Sequence, residues 1–135
     1  MKKSLFFLSL VFASLAFAKA QSNREIDLKP FHTIKVFDLI TVNLVKSETP
    51  KILIKGRDAD QVEFVEKDGT LKIRMETDMI FNGEDTFVYV YYTDLEIIDG
   101  NEGAQILSNE LIEQSSLEIR VQEGARVEEI GRAHV

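Results

Sequence analysis

Two segments in the second half of the chain repeat each other at just over twenty residues. Glu102-Gly103-Ala104-Gln105-Ile106 returns as Glu123-Gly124-Ala125-Arg126-Val127, an offset of 21. Leu95-Glu96-Ile97 returns as Leu117-Glu118-Ile119, an offset of 22. Leu71-Lys72-Ile73 gives a weaker earlier copy, 24 residues before Leu95. Periods of this size belong to stacked repeats, in which one unit cannot bury its inward side chains until the next covers them. Gly103 and Gly124 fall where each unit turns a corner, because glycine accepts positive φ without steric cost. The small Ala104 and Ala125 that follow let successive units stack closely.

Period-two alternation fills the rest of the mature chain. Ile34 and Val36 (with His32) alternate with Thr33, Lys35 and Phe37; Ile40, Val42 and Leu44 alternate with Thr41 and Asn43. Ile52 and Ile54, Val62 and Phe64, then Leu71, Ile73 and Met75 continue the pattern. Such spacing puts one set of side chains inward and the other outward. Phe87 to Tyr92 is apolar at every position, which predicts a strand buried on both faces. An exposed aromatic stripe there, with Tyr89 and Tyr91 as glycan contacts, is the alternative. Turns are predicted at Glu48–Pro50, Gly56–Asp58, Lys67–Gly69 and Asn82–Asp85, with Asp68-Gly69 as a hairpin signal. The one helix candidate, Ala59 to Glu66, alternates instead. The expected class is all-β.

The first twenty residues follow different rules. Lys2 and Lys3 precede an apolar run from Leu5 to Ala18, and Ala18-Lys19-Ala20 supplies small residues for cleavage before Gln21. This is the pattern of a secretory signal peptide, and the run is too short for a membrane anchor, which needs about 20 apolar residues. The expected compartment is periplasmic, cell-surface or secreted. The chain has no cysteine, so disulfides, thiolate metal sites and a lipoprotein anchor are excluded. Its 16 basic and 23 acidic residues become 13 against 23 when Lys2, Lys3 and Lys19 leave with the signal. That surplus repels polyanions such as DNA and disfavours acidic lipid surfaces. No phosphate loop and no basic run interrupts it.

Several of these segments together resemble the auto-transporter adhesin head GIN domain, common among exported proteins of Bacteroidetes-type bacteria. The resemblance rests on Phe31-His32-Thr33-Ile34-Lys35-Val36, Ile40-Thr41-Val42-Asn43-Leu44 and Lys67-Asp68-Gly69-Thr70-Leu71-Lys72-Ile73. It continues through the Val88-to-Tyr92 strand before Leu95 and the corners Gly103-Ala104 and Gly124-Ala125. It implies a right-handed parallel β-helix and an adhesion or surface-binding role, and it carries over no catalytic residue. Further units are expected beyond the second corner, so the domain is expected to be truncated at its C-terminus.

The expected organisation is a signal peptide at 1–20, a loose lead-in at 21–30 and a β domain at 31–129. Residues 130–135, Ile-Gly-Arg-Ala-His-Val, fit no strand continuation. They can be read back as ATC GGA AGA GCA CAC GTC, similar to a sequencing-library adapter, and are expected to be an artefact.

Chemistry is sparse. His32 stands alone once His134 is set aside, and no Ser/His/Asp set assembles around it. Asp58 and Asp60 flank Ala59 on a strand face or at a calcium-binding turn. Asp94, Asp99 and Glu102 lie near the repeat corner, and Glu102 and Glu123 should stack into an acidic ladder. A calcium cage needs six to eight oxygens, and solvated turn acids explain these residues without one. The expectation is therefore no catalytic residue, no metal and no cofactor. The protein reads as an exported non-enzymatic adhesion, surface-binding or structural module, with a surface glycan or envelope protein as its partner. A carbohydrate-binding or carbohydrate-active envelope protein is the alternative.

Overall fold

The computed structural model describes residues 23–79, 82–114 and 116–129. The signal segment and the suspected adapter residues lie outside the described residues. Eleven strands are described: β1 (Arg24–Asp27), β2 (Thr33–Val36), β3 (Thr41–Lys46), β4 (Lys51–Gly56), β5 (Val62–Lys67), β6 (Thr70–Met75), β7 (Thr86–Tyr92), β8 (Ile97–Gly100), β9 (Gln105–Ser108), β10 (Glu118–Val121) and β11 (Arg126–Glu129). Single 3-10 turns sit at Ala59–Gln61 and Thr77–Met79. The all-β expectation holds.

The strands form two sheets. One has six strands in the order β1-β4-β7-β3-β9-β11, and the other has five in the order β10-β8-β2-β6-β5. Both are mixed. β2, β6, β8 and β10 pair in parallel, as do β3, β7, β9 and β11. Antiparallel pairs β1–β4, β4–β7 and β5–β6 flank them. Among the described residues the sheets are not closed and no β-helix is identified.

The core lies between the sheets. Ile34, Val36, Ile98, Leu71 and Ile73 of one sheet and Val42, Val88, Val90, Ile52 and Ile54 of the other are fully buried. Each contributes about 1.5–3 kcal/mol by leaving water. These are the inward positions the alternation marked, and the strands form because pairing is the way to bury them while satisfying their backbone groups.

Four two-residue turns share one conformation. Asp68-Gly69, Glu102-Gly103, Glu123-Gly124 and Asp38-Leu39 all have positive φ at both positions. That is the geometry of a type I′ turn, which asks for Gly or a short polar residue. The first closes the β5–β6 hairpin, as the Asp-Gly signal predicts. The others turn the corners β8–β9, β10–β11 and β2–β3. At each corner the residue after the pair donates back to the residue before it: Ala104 to Asn101 at 3.0 Å, Ala125 to Gln122 at 3.2 Å and Ile40 to Phe37 at 3.3 Å.

The structure corrects four sequence expectations. The lead-in is not loose: Arg24–Asp27 adds an edge strand to β4, and the Arg24 guanidinium donates to the carbonyls of Ala59 and Val62 at 3.0 and 2.9 Å. The 22-residue echo is out of register, because Ile98 faces Ile119 and Ile97 faces Glu118, an offset of 21 throughout. The copy at Leu71 does not stack on Leu95; Leu71 faces Ile34, and β2 separates β6 from β8. Of the two placements expected for Asp58 and Asp60, a strand face and a turn, the strand face is the one corrected: they lie at a 3-10 turn.

Candidate functional surface

β7 is an interior strand of the six-stranded sheet, between β4 and β3. Its Val88, Val90 and Tyr92 are buried. Alternation then sends Phe87, Tyr89 and Tyr91 to the outer face, where Phe87 is 46% exposed and the tyrosines are half-buried. The strand is therefore not core on both faces, and the aromatic row is a surface feature. Thr41, Asn43 and Val45 of β3 flank it on one side, opposite Phe87, Tyr89 and Tyr91 respectively. Lys55, Leu53 and Lys51 of β4 flank it on the other. The Lys51 ammonium lies 4.6 Å from the Tyr91 ring centre and 3.1 Å from a Glu25 carboxylate oxygen. Lys55 lies 5.4 Å from the Tyr89 ring centre. Cation–π contact of this kind fixes ring orientation. The result is a band of aromatic, amide and hydroxyl groups, with Lys51 and Lys55 beside the rings.

A second constellation joins the corners. Asp38 is 3% exposed, and one of its carboxylate oxygens accepts the Met75 amide at 3.0 Å. The Glu102 carboxyl hydrogen-bonds to Asp38. This contact, then burial, then the charges of Asp38 and Glu123, push the Glu102 carboxyl up from 4.5 to about 7. The acidic ladder expected of Glu102 and Glu123 is present, and Asp38 extends it by one step. Sequence reasoning missed Asp38 because Leu39 follows it where the other corners have Gly. A recess of about 210 Å3 beside the pair is lined by Phe37, Lys72, Arg74 and Thr77.

Other expected sites stay apart. His32 is exposed, 2.8 Å from the Thr33 hydroxyl and 3.7 Å from Glu96. The Asp99 carboxylate accepts from the Asn101 side chain at 3.0 Å. Gly103 and Gly124 have φ of 74° and 79°, and the Ala125 methyl lies where a side chain on Gly100 would stand, at 3.2 Å. Among the described residues, no cluster of His, Cys, Asp or Glu is arranged to hold a metal ion. No helix there is long and apolar enough to cross a membrane.

Solved structures share this fold. A "putative adhesin" from Bacteroides fragilis NCTC 9343 matches with a TM-score of 0.72 at 16% identity, over 82% of this chain and 53% of that one. A "putative adhesin" from Parabacteroides merdae ATCC 43184 matches with a TM-score of 0.63 at 20% identity, over 76% and 44%. A "putative lipid binding protein" from Parabacteroides distasonis ATCC 8503 matches with a TM-score of 0.60 at 15% identity, over 76% and 46%. The chain thus spans about half the length of these proteins. No curated protein matches it. The family model "Putative auto-transporter adhesin, head GIN domain" matches residues 30–131, and the chain belongs to that family.

Proposed function

We propose that this chain is an exported, non-enzymatic surface-binding module that makes contact through the outer face of its six-stranded sheet. The observation that carries the reading is the outward row Phe87, Tyr89 and Tyr91 on an interior strand. Aromatic side chains turned to solvent cost hydrophobic free energy, and an ordered row of them marks a binding surface more often than chance. Asn43 and Thr41 beside the rings add hydrogen-bonding groups. An aromatic row flanked by Lys51, Lys55, Asn43 and Thr41 suits the apolar faces and hydroxyl edges of a surface glycan.

The two-strand units β6/β7, β2/β3, β8/β9 and β10/β11 support a finer architectural reading, as turns of a right-handed parallel β-helix. The N-terminal signal pattern supports export to the periplasm, cell surface or medium. Gly103 and Gly124 serve as corner residues that keep the turns in step.

Enzymatic action on a glycan is the rival. Glycoside hydrolysis uses carboxyl groups about 5–9.5 Å apart, with the bond to be cleaved between them. Asp38 and Glu102 instead hydrogen-bond to each other, which supports the non-enzymatic reading. A glycan array probed with the mature chain separates the two. Saturable binding without release of reducing ends fits the proposal, whereas turnover of a bound polysaccharide contradicts it.

A further inference from the structure

The outer face of the five-stranded sheet carries a charge pattern opposite to that of the chain. The protein has a net charge of −7. Yet β2 and β6 turn Lys35, Lys72 and Arg74 outward, because Ile34, Val36, Leu71 and Ile73 between and beside them are buried. Lys35 and Lys72 face each other directly in the parallel register. Two strands along, Arg120 faces Asp99, which itself faces Lys35. No basic run announces this patch in the sequence; the pairing register assembles it.

Glu63, Asp99 and Glu118 stand against Lys35, Lys72, Arg74 and Arg120, so the face keeps one positive charge, and it is concentrated at Lys35 and Lys72. Glu63 pairs with Arg74 at 3.3 Å, and Glu118 pairs with Arg120. Asp99 is 6% exposed, with its carboxylate accepting from Asn101. Among the described residues, no carboxylate lies within ion-pair distance of Lys35 or Lys72. The Lys72 ammonium lies 5.1 Å from the Phe37 ring centre, and it lines the recess together with Arg74, Thr77 and the acids Asp38 and Glu102. Like charges directly opposite on neighbouring strands destabilise a sheet. A chain with a surplus of acidic residues nevertheless sets two lysines face to face here.

We infer that this face binds an acidic polysaccharide, with Lys35 and Lys72 holding a carboxylate between them. The site is separate from the aromatic face of the other sheet. The patch spans about 14 Å across β6, β2, β8 and β10 at the usual strand spacing. A slender single-stranded glycan can lie along Lys35 and Lys72, with Asp99 the one carboxylate set between Lys35 and Arg120 in the register. A membrane plane or duplex DNA, far broader and more densely charged, cannot.

The test measures binding of the full chain to polygalacturonate, with dextran as neutral control and phosphatidylglycerol vesicles as the lipid control. Polygalacturonate should bind with an affinity that falls as salt rises, whereas any dextran binding should be insensitive to salt and to K35Q/K72Q. The double variant K35Q/K72Q should bind at least tenfold more weakly. Lys72→Glu should abolish binding while raising the melting temperature, because it replaces the Lys35–Lys72 repulsion with attraction; this excludes misfolding as the cause of the loss. Absence of polygalacturonate binding, unaltered binding by K35Q/K72Q, or tighter binding to the vesicles overturns the inference.

Discussion

The main-chain amide of Leu39 donates to the carbonyl of Glu102 at 3.0 Å, as Gly103 donates to Glu123 at 2.9 Å. Leu39 therefore occupies, one unit earlier, the place that Gly103 and Gly124 occupy in the visible repeat. Its φ of 63° is left-handed backbone, which a residue with a Cβ adopts at a cost of about 1–2 kcal/mol. Its side chain lies over Gly103: a Cβ there would come within 2.5 Å of Leu39 Cδ2. Nothing comparable lies within 4 Å of Gly124.

The two corner glycines should therefore respond differently to the same change. Gly124→Ala carries only the backbone penalty, about 1 kcal/mol. Gly103→Ala adds displacement of Leu39 and should cost about 2–3 kcal/mol. Urea denaturation of both variants, alone and with Leu39→Gly, checks this. Leu39→Gly should remove most of the difference; equal costs in both backgrounds would show that the contact has no energetic consequence.

Stability should fall as pH rises across the range set by Glu102. Its carboxyl titrates near 7 in the folded protein and at 4.5 without the fold. Between these values the folded state holds a proton that the unfolded chain has released, so raising the pH disfavours folding. The penalty is absent below about 4.5 and complete above about 7. Glu102→Gln removes it. Melting curves of the two proteins should converge at pH 4.5 and separate towards pH 8, with the variant more stable. A constant difference over that range would contradict the shared proton.

The 21-residue register makes a third expectation. Ile98 and Ile119 are partners, but Ile98 is fully buried and Ile119 is 51% exposed. Ile98→Ala should cost about 2–5 kcal/mol through lost burial and a residual cavity. Ile119→Ala should cost less than about 1 kcal/mol. Similar losses at both positions would contradict the difference in burial.

Much of the fold was legible in the sequence. Inward residues such as Ile34, Ile52 and Ile73 were marked by alternation, and the type I′ turns by Asp68-Gly69, Glu102-Gly103 and Glu123-Gly124. What escaped were features set by pairing rather than by local preference. Arg24–Asp27 has one apolar residue and becomes a strand because β4 offers an edge. Asp38-Leu39 adopts the corner geometry with a residue that does not announce it. The corner between β6 and β7 is longer by nine residues, as the registers of 37 at Val36–Ile73 and 46 at Thr41–Phe87 require. That insertion hides the fourth stacked unit from any search for a fixed period. The surface was harder. A strand apolar at every position reads as buried on both faces, and the lysines lining its outer side come from β4, which becomes a neighbour only once β7 has inserted between β3 and β4.

The proposed contact surface is tested most directly by measuring the affinity of the mature chain for a glycan selected on the array, before and after Tyr89→Ala/Tyr91→Ala. Both side chains lie on the outer face, so the variant should keep the wild-type melting temperature to within a few degrees. The account predicts at least a tenfold loss of affinity with the fold intact. Unchanged affinity in a folded variant would contradict it and move the contact surface elsewhere.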